Sequence, residues 1–304
     1  MRKTIMIFGA SSFLGSNLVQ SLSAHYRIIA VFNKTPLEIP GIMSIRCDVL
    51  KKDNVNRLVA TFRPQVTIYA AGLSSLSACH ENPKLADALN SAGLINVCSS
   101  AERFGSKFVF VSSSFVLAGE DVHYSESDTP FPGTVYGAGL ASSEFYVQKS
   151  CLNYIILRSC PLYGHAYHPV RKNWFEPIES AIALGTPISV DDHVEHGVLD
   201  VKIFCRLLMT AIDKNVTNRL FQVSSRDIMS RYEFARAYCD VFGKDPDLIS
   251  KATWKLPLDE KQFRNKSSER YRFRMDLKNA EEFFGFKFPS IEESLQTTKK
   301  RLTG

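Results

Sequence analysis

The sequence predicts an α/β protein with a doubly wound parallel sheet and a smaller C-terminal lobe. The main evidence is an alternation through the first half of the chain, where short apolar segments bounded by turn residues are followed by amphipathic segments of helical length. This is the pattern of βαβ units. The length supports the same architecture, because 304 residues correspond to roughly two units of about 150 residues each.

The predicted strands are apolar throughout rather than alternating with polar residues, so we expect helices to cover both faces of the sheet. These strands are Thr4–Phe8, Arg27–Phe32, Met43–Arg46, Val66–Tyr69, Lys107–Ser112 and Tyr154–Leu157. The predicted helices between them are Phe13–Ala24, Lys52–Phe62, Pro83–Phe104 and Tyr136–Lys149.

The second half of the chain loses this alternation after Gly164 and becomes richer in proline and aromatic residues. Helices are predicted at Phe175–Leu184, Val201–Asp213 and Arg231–Phe242, the last with Ser230 as its N-cap. We therefore expect a larger domain in residues 1–164 and a smaller substrate-binding lobe in residues 165–304, with part of the second half returning to the sheet. A ligand would bind in the cleft between them, at the carboxyl ends of the strands.

Composition and charge exclude several classes of protein. Hydrophobic residues make up 45% of the chain and charged residues 22%, which is typical of a globular domain and unlike a collagen, a coiled coil or a disordered protein. The net charge of +6 is too small and too scattered to indicate a nucleic-acid partner. One basic stretch is either a solvated face or a pocket for an anionic ligand such as phosphate, and it contains Arg264, Lys266, Arg270, Arg272 and Arg274.

Targeting and metal-binding signals are missing from the sequence. No run of 18 uncharged apolar residues occurs, and the apolar segment after Met1-Arg2-Lys3 is too short for a secretory signal, so we expect a cytoplasmic protein without membrane association. The seven cysteines form no CxxC pair, which indicates core thiols in a reducing compartment. Four histidines are interpreted as surface or substrate-lobe polar residues rather than metal ligands: His165, His168, His193 and His196.

A glycine-containing turn, Gly9-Ala10-Ser11-Ser12-Phe13-Leu14-Gly15, follows the first strand. In this context the pattern is typical of a dinucleotide site, where backbone amides at a helix N-terminus bind the pyrophosphate. Ser12 stands where a third glycine would complete GxxGxxG, although its hydroxyl could donate a hydrogen bond instead. The alternative is an ordinary strand, turn and helix. The expected cofactor-binding residues here are Gly9, Ser11, Ser12, Phe13, Leu14 and Gly15.

The end of the second strand bears on the choice of cofactor. It reads Phe32-Asn33-Lys34, with no carboxylate to pair with an adenosine ribose. A lysine without a neighbouring acid favours the 2′-phosphate of NADP, so we expect Asn33 and Lys34 to contact it, with NAD as the second choice. The alternative is that Lys34 is only a surface lysine.

Several further motifs follow in order. They are Ala70-Ala71-Gly72, Leu89-Asn90-Ser91-Ala92-Gly93, Phe108-Val109-Phe110-Val111-Ser112-Ser113-Ser114-Phe115-Val116-Leu117-Ala118-Gly119, Glu126-Ser127-Asp128-Thr129-Pro130, Val135-Tyr136-Gly137 with Glu144, and Leu157-Arg158-Ser159-Cys160-Pro161-Leu162-Tyr163-Gly164. In order and spacing they resemble the extended short-chain dehydrogenase/reductase family, dTDP-4-dehydrorhamnose reductase type, over nearly the whole chain. The resemblance implies a Rossmann-type N-terminal domain, a small C-terminal domain for a nucleotide-sugar, and chemistry at a Ser/Thr, Tyr and Lys trio. We expect further cofactor contacts from Asp48, Ala70, Ala71, Gly72 and Asn90.

The resemblance places the catalytic Ser/Thr on Ser113 and the tyrosine on Tyr136, whereas the lysine expected four residues later is Leu140. A lysine there would share the helix face of the phenol, lower its pKa and anchor the nicotinamide ribose, and leucine does neither. Alcohol oxidation needs tyrosinate, which an unshifted phenol supplies to about one part in a thousand at pH 7. Ketone reduction needs the neutral phenol. Ser114 and Phe115 stand where the family has an acidic residue and an aromatic one.

Two hypotheses about function follow. The first is an NADP-dependent reductase acting on a nucleotide-linked 4-keto deoxy-sugar. The second is a non-catalytic NADP-binding regulatory subunit, resembling the regulatory partner of methionine adenosyltransferase, and Leu140 favours it. The expected partners are accordingly a nucleotide-sugar and either a second protein or another copy of the chain. The resemblance implies a homodimer through Pro83–Phe104 and Tyr136–Lys149.

Overall fold

The computed structural model describes residues 2–167, 173–252, 256–258 and 270–303. The strands are β1 (Thr4–Phe8), β2 (Arg27–Phe32), β3 (Met43–Arg46), β4 (Val66–Tyr69), β5 (Lys107–Ser113), β6 (His123–Tyr124), β7 (Tyr154–Ser159), β8 (Leu162–Tyr163), β9 (Ile188–Asp191), β10 (Val194–His196), β11 (Leu199–Asp200), β12 (Arg219–Val223), β13 (Ile249–Ala252) and β14 (Tyr271–Met275). The helices are α1 (Phe13–Ser23), α2 (Lys52–Phe62), α3 (Leu76–Glu81), α4 (Pro83–Asp87), α5 (Gly93–Arg103), α6 (Val135–Ser150), α7 (Glu176–Ala183), α8 (Val201–Asp213), α9 (Arg231–Phe242), α10 (Lys278–Phe284) and α11 (Ile291–Thr303).

A seven-stranded sheet forms the centre of the protein, in the order β12-β7-β5-β4-β1-β2-β3, with every neighbouring pair parallel. The strand order reverses at β1, as in doubly wound dinucleotide-binding sheets. The six strands predicted from the sequence all belong to this sheet. The fold class predicted from the apolar runs is therefore confirmed.

Helices pack onto the sheet in two groups. Helix α1 packs against α8, while α5 packs against both α2 and α6. The inner strands between them are almost wholly buried; Ile5, Met6, Ile7 and Phe8 of β1 have no exposed surface. This burial is what the continuous apolar runs predicted, because a strand covered on both faces has no polar side. The edge strand β3 departs from the prediction, since its residues are exposed or only partly buried.

The single helix predicted over Pro83–Phe104 is wrong in its middle. Helices α4 and α5 are joined by a π-helical turn at Ala88–Ala92. Asn90, at the centre of this turn, exchanges side-chain hydrogen bonds with the backbone of Leu73, and the Ser143 hydroxyl donates to the Asn90 carbonyl at 2.7 Å. These tertiary contacts account for the widened turn, which helical periodicity does not reveal. Such turns are frequent at functional sites.

A second apolar core lies in the C-terminal lobe. Its aromatic members Tyr163, Phe175, Phe234 and Tyr238 meet edge to face. Helix α9 begins with the predicted N-cap, Ser230, in a reciprocal capping box with Glu233. The lobe's strands are short and all pair in parallel, as β10-β14-β6, β11-β8 and β13-β9.

Part of the second half lies on the large sheet. Strand β12 pairs with β7 at the sheet edge, and α8 packs on α1. The boundary after Gly164 remains a prediction. The seven cysteines are all buried free thiols, and among the described residues no helix combines the length and the apolar character that a bilayer crossing requires.

Candidate active site

The glycine turn after β1 is tight enough to require glycine at both ends. Gly9 has a φ of +83°, and a Cβ there would lie 2.5 Å from the Ala71 nitrogen. A Cβ on Gly15 would lie 2.1 Å from the Gly9 carbonyl oxygen. The two glycines therefore bring the start of α1 directly against the end of β1, and a side chain at either position would separate them.

Ser12, the departure from the glycine pattern, is the N-cap of α1. Its hydroxyl accepts from the Gly15 amide at 2.9 Å and donates to the Ala70 carbonyl at 3.3 Å. The hydroxyl thus stabilises the turn rather than pointing out as a free donor. The amides of Phe13 and Leu14 have no acceptor within the described part of the chain, and amides at a helix N-terminus form an anion site.

The segment after β4 forms the floor beside this turn. Gly72 has a φ of +141°, and a Cβ there would lie 2.6 Å from the Asn90 side-chain oxygen. The Asn90 amide accepts from the Leu73 nitrogen at 2.8 Å and donates to the Leu73 carbonyl at 3.0 Å. The predicted residues Ala70, Ala71, Gly72 and Asn90 are therefore brought together, with the Asn90 side chain engaged in holding the loop.

The region beyond β2 contains a second cation, Arg46, that the sequence does not point to. Lys34 is exposed, and Arg46 at the end of β3 donates from Nε to the Asn33 carbonyl at 3.0 Å. The register that sets Phe32 beside Arg46 causes this proximity. Asp48 lies just after β3, and its carboxylate accepts from the Leu50 amide at 3.0 Å, which fixes the turn.

Ser113 and Tyr136 meet at the carboxyl end of β5. Ser113 is the last residue of the strand, and Tyr136 is in the first turn of α6, which is capped by the Thr134 hydroxyl at 3.0 Å from the Gly137 amide. Burial raises the pKa of Tyr136 to about 12, although a hydrogen bond with Ser113 offsets part of that effect. The phenol is therefore neutral at physiological pH and ready to donate a proton.

A buried ion pair lies below Ser113 and anchors α6. The Arg158 guanidinium on β7 binds the Glu144 carboxylate in a bidentate arrangement, with Nη2 at 2.8 Å and Nε at 3.0 Å, and both side chains are at most 2% exposed. The Ser112 hydroxyl donates to the same carboxylate at 2.6 Å. Glu144 and Arg158 both stand in the family motifs, which assign neither a role. The pair fixes α6, which carries Tyr136, to β7, and the Ser112 bond ties the same carboxylate to β5, the strand that carries Ser113.

An aromatic cluster closes the site on the lobe side. The His196 ring stacks on Phe273 with centroids 4.4 Å apart and meets Phe115 at 4.8 Å, and Phe115 in turn contacts Tyr136 at 6.0 Å. Burial, assisted by the positive charge of Arg231, lowers the pKa of His196 to about 3. The neutral ring shares a 3.4 Å hydrogen bond with Ser114. His196 is thus a buried strand residue of the lobe and not a surface residue.

The basic stretch near the C-terminus is neutralised within the chain where it is described. Arg270 pairs with Glu195 at 2.8 Å and Arg272 with Glu195 at 3.0 Å and Asp121 at 2.8 Å. The expectation of an anion pocket on these two arginines is therefore not supported. Lys266 and Arg264 lie outside the described residues, as does His168. In the ranges that are described, no three His, Cys, Asp or Glu side chains group as a metal site.

The family model described as RmlD substrate binding domain matches residues 1–303 of this chain. The chain belongs to that family. The family resemblance seen in the sequence motifs is therefore confirmed across almost the whole length.

Relatives of this RmlD-family chain include proteins of two kinds. Methionine adenosyltransferase 2 subunit beta of Danio rerio is 23% identical over 205 residues, which are 65% of this chain and 62% of that protein. The chain thus spans less than two thirds of the length of this curated relative. The probable low-salt glycan biosynthesis reductase Agl14 of Haloferax volcanii is 24% identical over 296 residues, 95% of each chain.

Solved structures share the fold of this family member. A dTDP-4-dehydrorhamnose reductase from Bacillus anthracis, in complex with NADP, superposes with a TM-score of 0.79 at 22% identity and 98% coverage of both chains. MoeE5 in complex with UDP-glucuronic acid and NAD gives a TM-score of 0.80 at 20% identity, covering 99% of this chain and 100% of that one.

Leu140 occupies the position one helical turn after Tyr136 in this RmlD-family chain. It is 5% exposed and belongs to the main apolar core. Lys149, the next lysine along α6, lies near the far end of the helix with its ammonium 5.9 Å from the Phe145 ring centroid. Because thirteen residues of helix span about 20 Å, Lys149 does not substitute for a cation beside the phenol.

Proposed function

We propose that this protein is an NADP-dependent reductase acting on a nucleotide-linked 4-keto deoxy-sugar. The observation that carries the proposal is the placement of a neutral Tyr136 near Ser113, at the sheet edge that also bears the glycine turn. Membership of the family and the dTDP-4-dehydrorhamnose reductase neighbours support it.

The cofactor site fits a dinucleotide phosphate. The turn of Gly9, Ser11, Ser12, Phe13, Leu14 and Gly15 would hold the pyrophosphate, because the amides of Phe13 and Leu14 are unpartnered among the residues described. Lys34 and Arg46, with Asn33 between them, would bind the 2′-phosphate. The preference for NADP rests on these two cations; NAD, the cofactor in the MoeE5 structure, is the second choice.

The rest of the cofactor would lie across the loops that follow β3 and β4. Asp48 borders the adenosine side, and Ala70, Ala71 and Gly72 offer a surface without bulky side chains toward the nicotinamide side. Asn90 supports that surface through its bonds to Leu73. Bound there, the reduced nicotinamide would supply a hydride.

Ser113 and Tyr136 would perform the proton chemistry of ketone reduction. The Ser113 hydroxyl holds the carbonyl oxygen by a hydrogen bond, and the Tyr136 phenol gives its proton to that oxygen as negative charge develops on it. A pKa of about 12 keeps the phenol protonated and available as the donor, and leaves little tyrosinate for the reverse reaction. Because Leu140 carries no charge to lower that pKa, we propose that ketone reduction is strongly favoured over alcohol oxidation near neutral pH.

The proposal is tested by NADPH consumption with dTDP-4-keto-6-deoxy sugars. We expect turnover by the wild type and a loss of about 10²-fold or more in Tyr136→Phe. Tyr146→Phe is the matched control, since Tyr146 lies on the same helix but bonds to Ser99 at 2.8 Å, away from Ser113. No consumption by the wild type, or an undiminished rate in Tyr136→Phe, contradicts the proposal.

A second candidate function is a non-catalytic NADP-binding regulatory subunit. The apolar, buried Leu140 and the likeness to methionine adenosyltransferase 2 subunit beta favour it. Tight NADPH binding by calorimetry without turnover, together with a stable complex with purified methionine adenosyltransferase in size-exclusion chromatography, would support this function. Restored turnover in Leu140→Lys would show instead an enzyme that had lost only its lysine.

A homodimer through α5 and α6 completes the proposal. The side chain of Phe145 on α6 is 65% exposed and Leu152, just beyond the helix, is 80% exposed. An exposed aromatic side chain on α6 supports an interface with another copy of the chain at this helix. Sedimentation equilibrium on the wild type and on Phe145→Glu tests the dimer, which the charge should dissociate.

A further inference from the structure

Arg231 is placed in the lobe as a prearranged cation. It is the first residue of α9, and its guanidinium carbon lies 5.3 Å from the centroid of the Trp174 ring. The indole is itself fixed, because its Nε1 donates to the Leu162 carbonyl at 2.9 Å and its ring meets Phe234. Stacking on a fixed ring restricts the arginine side chain before any ligand arrives.

Arg231 forms no ion pair within the described ranges, although it feels the negative charge of Asp191. Burial lowers the pKa of its guanidinium, whereas part of the residue stays exposed to solvent. Other arginines of the lobe are neutralised: Arg270 and Arg272 by Glu195, and Arg301 by Asp200 at 2.7 Å. Arg231 is thus a lobe cation with donors left for a ligand.

Arg231 also lies near the aromatic cluster that borders the site on the lobe side. Its positive charge acts on His196, whose ring contacts Phe115, and Phe115 contacts Tyr136. The path from the phenol to the guanidinium therefore crosses the aromatic cluster from the sheet to the lobe. In a nucleotide-linked 4-keto sugar, the sugar ring likewise separates the ketone at C4 from the diphosphate at C1. With the ketone at Tyr136, the diphosphate would therefore extend toward Arg231.

We propose that Arg231, backed by Trp174, binds the diphosphate of the nucleotide-linked substrate. This inference rests on the proposed function and assigns the anion-binding role to Arg231 instead of Arg270 and Arg272. A guanidinium offers several donors in one plane, which matches two phosphate oxygens at once. The indole covers one face of the guanidinium and leaves the N–H groups at its edge available to phosphate oxygens.

Calorimetric titration of the NADPH-saturated protein with dTDP and with UDP tests the assignment. We expect at least one of the two to bind, and Arg231→Gln to weaken that binding by about tenfold or more, with partial recovery in Arg231→Lys. Arg236→Gln is the matched control, because Arg236 lies on the same helix but stacks on Tyr232 and donates to the Pro246 carbonyl. NADPH affinity and the thermal unfolding midpoint should be equal in all variants.

Two results would overturn the inference. One is an Arg231→Gln protein that binds the diphosphates as tightly as the wild type, and the other is a wild type that binds neither dTDP nor UDP. The affinity for NADPH and the Tyr136-dependent reduction are measured on the same samples. If the protein binds NADPH and reduces the ketone through Tyr136 but gives either of those two results, only the role of Arg231 is wrong. If the wild type neither binds NADPH nor reduces the ketone, the proposed function is wrong as well.

Discussion

Gly137 approaches Phe115 so closely that a Cβ on the glycine would stand 2.0 Å from the Phe115 carbonyl oxygen. This contact joins the first turn of α6 to the turn that follows Ser113. Gly137, one residue after Tyr136, therefore lets α6 approach the turn after Ser113 this closely because it has no side chain. A substitution at Gly137 therefore tests the geometry of the Ser113 and Tyr136 pair.

Gly137→Ala should impair catalysis more than its size suggests. The methyl group must displace α6 from Phe115, at a cost of about 1–3 kcal/mol that exceeds the gain of about 1 kcal/mol in helix propensity. Urea unfolding measures the net change in stability, and NADPH consumption measures the loss of catalysis. Gly139→Ala is the control, since its Cβ would lie 3.3 Å from a side-chain atom of Asn90. Equal behaviour of the two variants would contradict this account.

The buried pair of Glu144 and Arg158 should stabilise α6 strongly, yet only as a pair. Glu144→Gln leaves the Arg158 charge uncompensated, so we expect a loss of about 3–5 kcal/mol in the free energy of unfolding. The double variant Glu144→Leu with Arg158→Met should recover part of that loss, because no charge remains buried. Equilibrium denaturation of the single and double variants gives the coupling energy. A double variant less stable than Glu144→Gln would show that the charges themselves are needed.

Arg46 should decide the preference between the two nicotinamide cofactors. Arg46→Ala should weaken NADPH binding by about tenfold, because a charged hydrogen bond to the 2′-phosphate is lost, and should leave NADH binding unchanged. Fluorescence titration measures both affinities. Arg27→Ala is the control, as Arg27 is exposed at the opposite end of β2. A similar loss for both cofactors would show that Arg46 stabilises the fold and does not read the phosphate.

Tyr136 should give the two reaction directions different pH profiles. With a pKa of about 12 the phenol stays protonated, so ketone reduction should not vary with its ionisation between about pH 6 and pH 9. Alcohol oxidation, which needs tyrosinate, should rise about tenfold for each pH unit in that range. Leu140→Lys should lower the pKa of Tyr136 and raise oxidation at pH 7, whereas Leu140→Met should not. A flat oxidation profile in the wild type would exclude Tyr136 as the base.

The sheet could be predicted from the sequence because its strands carry their signal locally. The bounds of β1 to β4 follow directly from apolar runs ended by turn residues, and the positions of Ser113 and Tyr136 follow from the family motifs. Arg46 could not be found this way, since its contact with Asn33 depends on the register of β3 on β2. The turn at Asn90 likewise arises from hydrogen bonds to distant segments.

The lobe was harder to predict for a different physical reason. Its strand pairs are as short as the two residues of β8 and β11, too short for a period of two to appear. The ion pairs that occupy Arg270 and Arg272 join residues about 75 positions or more apart in the chain. The charges in the sequence left open a solvated face or an anion pocket there. Only the fold shows that Glu195 and Asp121 pair with these arginines.

Hydride transfer itself tests the central claim most directly. NADPH deuterated at the transferable position of C4 is incubated with the protein and a dTDP-4-keto-6-deoxy sugar, and the product is analysed by mass spectrometry. The reductase account predicts one deuterium on the former ketone carbon, and its loss in Tyr136→Phe. Bound cofactor with no deuterium in the sugar would contradict that account and leave a dinucleotide-binding subunit without chemistry.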